Sequence, residues 1–378
     1  MEKGKMAAAL AIVALLAIAL VGMANPTGFT AMQAEQDKKP VKIGILAPLT
    51  GSVAAVGEDV RNGILLAAEE LPGLKNVEIE LVVEDSQSKP AEGVTAFKKL
   101  VEVDNVSAVI GITTSGVAKA IGPVAEEKGV PTMLAVASSY KPEREGGFVF
   151  KFWPSDSERA RFEAGFVMEK LGAEKMAVIY VNNAMGVGLK REFEREIEEL
   201  GGKVLASEAF EEDETDFRAN LIKVKESNSE ANFIIAYEPS AVNILKQAKE
   251  LGIENQFLAT SAVISESFLD SAGGIAEGLI ADLPVTRSQA TAEFEKRFRK
   301  RFNDSIIHPG SYFAYDSLML LAGILDKTQE REEIKDRLHC LKSYGISGAI
   351  GFDSVGKNIE KKEFAAMIVR NGKFVAFE

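Results

Sequence analysis

Residues 111–116 read GITTSG, with three hydroxyl side chains, Thr113, Thr114 and Ser115, set between two glycines at the end of the apolar run VSAVI. A helical pattern, VAKAIGPVAEEKG, follows at once. The start of a helix leaves backbone N–H groups unpaired and carries the positive end of the helix dipole, so hydroxyls placed there suit a carboxylate or a phosphate. A second cluster, AVASS, brings Ser138 and Ser139, just after Ala137, to the end of the next apolar run. Two readings stand at this point. Either Ser115 caps its helix and AVASS is an ordinary turn, or both clusters hold one small anion through Thr114, Ser115, Gly116, Ser138 and Ser139. Charge-assisted hydrogen bonds contribute about 1.5–3 kcal/mol each, and burial of an aliphatic body about as much. Three or four such contacts, less the cost of closing around a guest, give roughly micromolar affinity.

Other chemistries find few parts. The chain has no strand-GxSxG elbow and no GxxxxGK[ST] phosphate loop. Gly186 and Gly188 open a helix after KMAVIYV, but Arg191 stands where a dinucleotide fingerprint needs its third glycine, so close packing of helix on strand explains them better. Two histidines, His308 and His339, and one cysteine, Cys340, are too few for a metal site or a Ser-His relay unless they happen to meet, and they exclude an intrachain disulfide. The acidic run EEDETD, residues 211–216, precedes a helix with Phe217, Leu221 and Val224 on its apolar face and reads as a solvated helix start rather than a metal site. A net charge of −12 with no basic cluster argues against a nucleic-acid partner. No catalytic residue, metal or cofactor is expected.

These loops need elements to hold them. The 378 residues suffice for two domain cores. MEKGK, the apolar residues 6–21 and the small residues ending at Ala24 read as a secretory signal, with an uncleaved membrane anchor as the alternative. No cysteine near that site offers a lipid attachment point. Residues 25–40 form a polar linker. From Val41 onward, strands such as VKIGILAPL and VEIELVVE alternate with amphipathic helices, which predicts an α/β fold with parallel sheets covered on both faces.

The second half repeats the first. Strands starting near 41, 77, 107 and 131 correspond to strands near 175, 203, 231 and 256, and each half ends on an extended apolar segment closed by a proline, Pro154 or Pro284. The expected architecture is therefore two lobes, residues 41–153 with 284–362 and residues 154–283 with 363–378, joined by crossing segments. Functional groups gather beyond the carboxyl ends of parallel strands. The cleft between the lobes should receive residues 49–57, 113–116 and 137–140 from the first lobe, and 182–186, 238–240 and 260–262 from the second.

In order and spacing, VKIGILAPLTGSVAAVGEDVRNG, DSQSKPAEGV, VIGITTSG, AVASS, ILKQAKELGI and FAYDSLMLLAGIL resemble the branched-chain amino-acid-binding proteins of ABC transporters, the type I two-lobed periplasmic solute receptors. The resemblance implies an exported receptor, periplasmic or tethered to the cell surface, that delivers its ligand to a membrane permease and its ATPase. It implies that Ser115 meets the ligand carboxylate, that Ser138 and Ser139 divide contacts between carboxylate and ammonium, and that Tyr237 packs over the ligand. Trp153 would be a cleft wall or a hinge plug. The departures bear on the ligand: Ser261 stands where the leucine-type receptors carry an acid for the ammonium, and Val56 and Met185 stand in place of cleft tyrosines. Either Glu238 or Asp156 supplies the missing acid or the ligand has no ammonium. The expected ligand is a small carboxylate with an apolar body, a branched-chain or other apolar amino acid first, with an amide, an aromatic acid or another carboxylate as alternatives. A two-lobed nucleotide-dependent enzyme is the runner-up. On this reading the anion is held by amide dipoles and hydroxyls, with no basic side chain.

Overall fold

A computed structural model describes residues 38–286, 288–303 and 306–377. The expected signal, its cleavage site and the linker up to residue 37 lie outside them. Strands β1 (Lys39–Ala47), β2 (Val77–Asp85), β3 (Ala108–Ile112), β4 (Thr132–Leu134) and β5 (Val149–Lys151) form one parallel sheet in the order β2-β1-β3-β4-β5. Successive side chains of a strand point to opposite faces, and the cores follow that period. Ile43, Ile45, Ala108 and Ile110 join one apolar cluster with Val60, Ile64, Leu318 and Leu321, while Leu46, Val109 and Ile112 join another with Phe97, Val117 and Ile121. Both faces are thus covered by helices, which is why these strands read as almost unbroken apolar runs.

A second sheet contains β6 (Lys175–Val181), β7 (Lys203–Phe210), β8 (Ala231–Ile235), β9 (Gln256–Ala259) and β10 (Ile280–Val285). A hairpin of β11 (Lys342–Gly345) and β12 (Gly348–Gly351) belongs to the first lobe's periphery, and β13 (Glu363–Arg370) and β14 (Lys373–Ala376) complete the second sheet in the order β14-β13-β10-β9-β8-β6-β7. Apart from the antiparallel β13 and β14, this order is that of the first sheet repeated. A matching detail marks the repeat. A Cβ on Gly57 would lie 1.9 Å from the Pro48 carbonyl oxygen, and one on Gly186 would lie 1.9 Å from that of Val181. In both lobes a glycine lets the first helix sit directly on the end of the first strand.

The core of the first sheet draws on residues between Val41 and Trp153 and between Phe294 and Phe352, and that of the second on residues between Ala160 and Ala281 and between Ala366 and Val369. The chain therefore passes between sheets after β5, after β10 and after β12. Pro154 lies in the first passage. Pro284 does not lie at the second: it is still inside β10, opposite Phe364 of β13, so the chain leaves that sheet after Val285. The first and third passages run side by side, with the Asn358 N–H donating to the Lys151 carbonyl at 3.0 Å. Among the described residues no helix is long and apolar enough to cross a membrane.

Candidate functional site

In each sheet the connections diverge to opposite faces between the first and third strands of the repeat, which opens a crevice beyond their carboxyl ends. The two crevices face each other. A cavity between them is walled by Val53, Val56, Thr113, Thr114, Ser115, Val136, Ser138 and Trp153 from the first lobe and the crossing, and by Arg159, Met185, Tyr237, Ser261 and Ala262 from the second, with His308. The lobes are in contact. Val53 and Val56 share an apolar cluster with Met185 and Tyr237, the Ser52 hydroxyl meets Glu212 at 3.0 Å, and Lys141 lies 3.6 Å from Glu192.

One wall is built of hydroxyls. The helix Ser115–Lys128 begins at the end of β3, with Thr114 in the N-cap position and no side-chain capping bond. The Thr114 Oγ1 is buried without a partner. Ser115 does not cap its helix. Its Oγ accepts the Ser139 N–H at 3.2 Å, which leaves its own hydrogen free to be donated. The turn after β4 is anchored from below: the Lys151 ammonium donates to the carbonyls of Ser138 and Tyr140. Burial lowers the Lys151 pKa to about 8, against the opposing pull of Asp156.

The opposite wall holds a charge that the sequence did not lead us to expect. Helix Asp156–Phe166 is started by a capping box between Ser155 and Glu158, which fixes Arg159 one turn in. Arg159 is 4% exposed and faces the cavity. Its Nη2 donates to Ser261 Oγ at 3.0 Å and to Asp282 Oδ1 at 2.5 Å, and its Nε lies 3.3 Å from Glu163. Burial alone would lower the pKa of Arg159, but Asp282 and Glu163 outweigh it and raise it. Burial, followed by the charge of Asp282, pushes Glu163 well above the usual carboxylate range. Asp282 is the carboxylate that accepts a hydrogen bond from Arg159. The cavity thus carries a basic side chain, opposite the hydroxyl wall, that the sequence reading did not include.

His308 lies beside the same wall, stacked on Trp153 with ring centroids 5.6 Å apart. Its Nδ1 accepts the Gly310 N–H at 3.0 Å. Burial, then the nearby Arg159, lowers its pKa to about 3, so the ring is neutral and Nε2 carries the hydrogen.

The periplasmic binding protein family model matches residues 40–373. The chain belongs to that family. As a periplasmic binding protein it is 26% identical, over 327 residues, to the leucine-, isoleucine-, valine-, threonine- and alanine-binding protein of Pseudomonas aeruginosa, covering 84% of this chain and 86% of that one. The crystal structure of a leucine binding protein from Thermotoga maritima superposes with a TM-score of 0.83 at 28% identity, over 89% of this chain and 98% of that one. The substrate binding protein of a branched-chain amino acid transporter from Streptococcus pneumoniae, solved in complex with isoleucine, gives 0.81 at 27% identity over 89% and 99%. All three are named as binding proteins, and the two solved structures share the two-lobed α/β architecture.

Of the residues singled out in the sequence, Val56, Thr114, Ser115, Ser138, Trp153, Met185, Tyr237 and Ser261 meet at the cavity of this binding protein. The others do not reach its wall. Gly116 lies in the first helical turn against Pro90, and Ala137 is buried in the first lobe's core. Ser139 is used by Ser115 and by the Met185 carbonyl. Glu238 is turned within its own lobe, accepting the hydroxyls of Ser265 and Ser267 at 2.7 and 2.9 Å. Asp156 is buried, a Cβ on Gly188 would lie 2.7 Å from its Oδ2, and its Oδ1 has no hydrogen-bond partner. Neither candidate for the missing acid therefore lines the cavity. Among the described residues no cluster of potential metal ligands occurs.

Proposed function

We propose that this periplasmic binding protein is the extracytoplasmic receptor of an ABC importer, closing its lobes on a small carboxylate with an apolar body. One observation carries the reading: the buried, unpartnered hydroxyl of Thr114 and the free hydroxyl hydrogen of Ser115 stand at an uncapped helix start on the wall of the interlobe cavity. Two hydroxyl donors, first-turn amides and the helix dipole converge there on the place of one carboxylate. Val53, Val56, Val136, Met185, Tyr237 and Trp153 offer an apolar surface to the rest of the molecule. The names of its relatives support leucine, isoleucine or valine, and acids of the same skeleton without an ammonium fit the hydroxyl wall equally.

Binding and release need no covalent step. His308 is neutral, stacked on Trp153 and bonded to Gly310. The partners are a membrane permease and its ATPase, and the protein acts outside the cytoplasm, released or tethered by its N-terminal segment. Titration calorimetry with apolar amino acids and the matching acids tests the reading. Binding of at least one that Ser115→Ala weakens is the expected result, and no binding across the set contradicts it.

A further inference from the structure

We infer that Arg159 sets the specificity of the cavity: the ligand is a carboxylate whose second polar group accepts hydrogen bonds, as in a 2-oxo or 2-hydroxy acid, and not an ammonium. The inference rests on reading the Thr114–Ser115 wall as the carboxylate site.

Among the described residues that wall the cavity, Arg159 is the one charged side chain. No carboxylate shares the wall. Asp282 takes the Arg159 Nη2 at 2.5 Å and the Ser261 N–H at 3.2 Å on Oδ1; its Oδ2 is buried without a partner, and the residue is not among those that wall the cavity. Glu163 and Asp156 are buried with oxygens that have no hydrogen-bond partner, but neither is among the residues that wall the cavity, and Glu238 is held by two serines. An ammonium enclosed here would lie beside a guanidinium, with no carboxylate among the residues that wall the cavity to pair with it.

The inventory of hydrogens points the same way. Arg159 carries only donors, and His308, with Nδ1 occupied by Gly310, has a donor as its remaining ring nitrogen. Ser261 already accepts from Arg159. A ligand oxygen at this end meets donors, whereas a ligand N–H meets the N–H groups of Arg159 and His308 and a Ser261 oxygen that already accepts one bond. Because Asp282 already offsets the charge of Arg159, a neutral carbonyl or hydroxyl oxygen satisfies the wall without a second anion.

Calorimetry on the wild-type protein with three compounds of one skeleton separates the possibilities: leucine, its 2-oxo analogue and the unsubstituted 4-methylpentanoate. The 2-oxo compound is expected to bind at least about tenfold more tightly than leucine, as one charge-assisted hydrogen bond gained and one enclosed ammonium without a carboxylate partner avoided require. Arg159→Gln should erase that advantage and Arg159→Lys should keep part of it. Where Arg159→Gln does not fold, the wild-type ranking decides alone. Leucine binding as tightly as its 2-oxo analogue, in a protein whose affinity Ser115→Ala still weakens, overturns this inference and leaves the receptor standing. Binding of none of the three, or binding indifferent to Ser115→Ala, overturns both.

Discussion

The Ser52 hydroxyl donates to Glu212 Oε1 at 3.0 Å, joining the loop after β1 to the loop after β7 across the cleft. The other oxygen of Glu212 takes the Asn183 amide at 3.2 Å, and Asn183 in turn caps its helix through the N–H groups of Met185 and Gly186. The contact between the lobes is thus tied to the element that presents Met185 to the cavity. Ser52→Ala removes one exposed hydrogen bond from the closed state and none from either lobe's core. It should loosen ligand affinity by roughly two- to fivefold, with the melting temperature of the ligand-free protein unchanged.

Ser115→Ala deletes a donor at the proposed carboxylate site and leaves the Ser139 N–H without its acceptor. Affinity should fall by about tenfold or more. Thr114→Val keeps the shape and removes the unpartnered hydroxyl, so it should weaken binding while leaving the unliganded fold as stable or more so. Calorimetry and thermal melts of the two variants read both effects, and a Thr114→Val protein that is destabilised but binds normally would show the hydroxyl to be structural.

Glu238 was one of two acids that the sequence offered as a partner for a ligand ammonium. Its carboxylate instead receives the hydroxyls of Ser265 and Ser267. Glu238→Gln should therefore leave affinity within about twofold of wild type for every ligand in the set. A large, ammonium-dependent loss in the same titration would return Glu238 to the site.

Acid should destabilise this protein through His308. Its folded pKa, about 3, lies below the ordinary 6.5, so the stability its neutral form contributes is fully present above 6.5 and is lost as the pH falls from there toward 3. The full effect is on the order of several kcal/mol. Glu163 works in the opposite sense: with its pKa raised in the fold, its contribution is lost as pH rises above the unfolded value of 4.5. The comparison is therefore between wild type and His308→Gln. The variant should melt at a lower temperature in neutral buffer and lose less of its stability on acidification. Parallel melting curves across the acid range would contradict the assignment.

Much of this was legible in the sequence because apolar runs and hydroxyls announce their places. The starts of the first four strands in each half appear at Lys39, Val77, Ala108 and Thr132 and at Lys175, Lys203, Ala231 and Gln256, close to the spacing expected from the repeat. Ser115 and Ser138 could be placed because they follow buried strands directly. Arg159 could not, since a charged residue on a helix is ordinarily solvated. Its signal was the spacing Asp156, Arg159, Glu163, a charged stripe at the interval that usually carries apolar residues to a core. Glu212 was hidden for a related reason. It sits in an acidic run that does precede a helix, yet it turns toward Ser52 and Asn183 instead of facing only water.

A crystal structure of the protein grown with its tightest ligand tests the central claim most directly. The account predicts one molecule between the lobes, with a carboxylate oxygen about 3 Å from Ser115 Oγ and from the first-turn amides of the helix Ser115–Lys128, and with its apolar body against Met185 and Tyr237. Ligand density elsewhere, or a ligand in this cavity whose carboxylate turns away from Thr114 and Ser115, would contradict it.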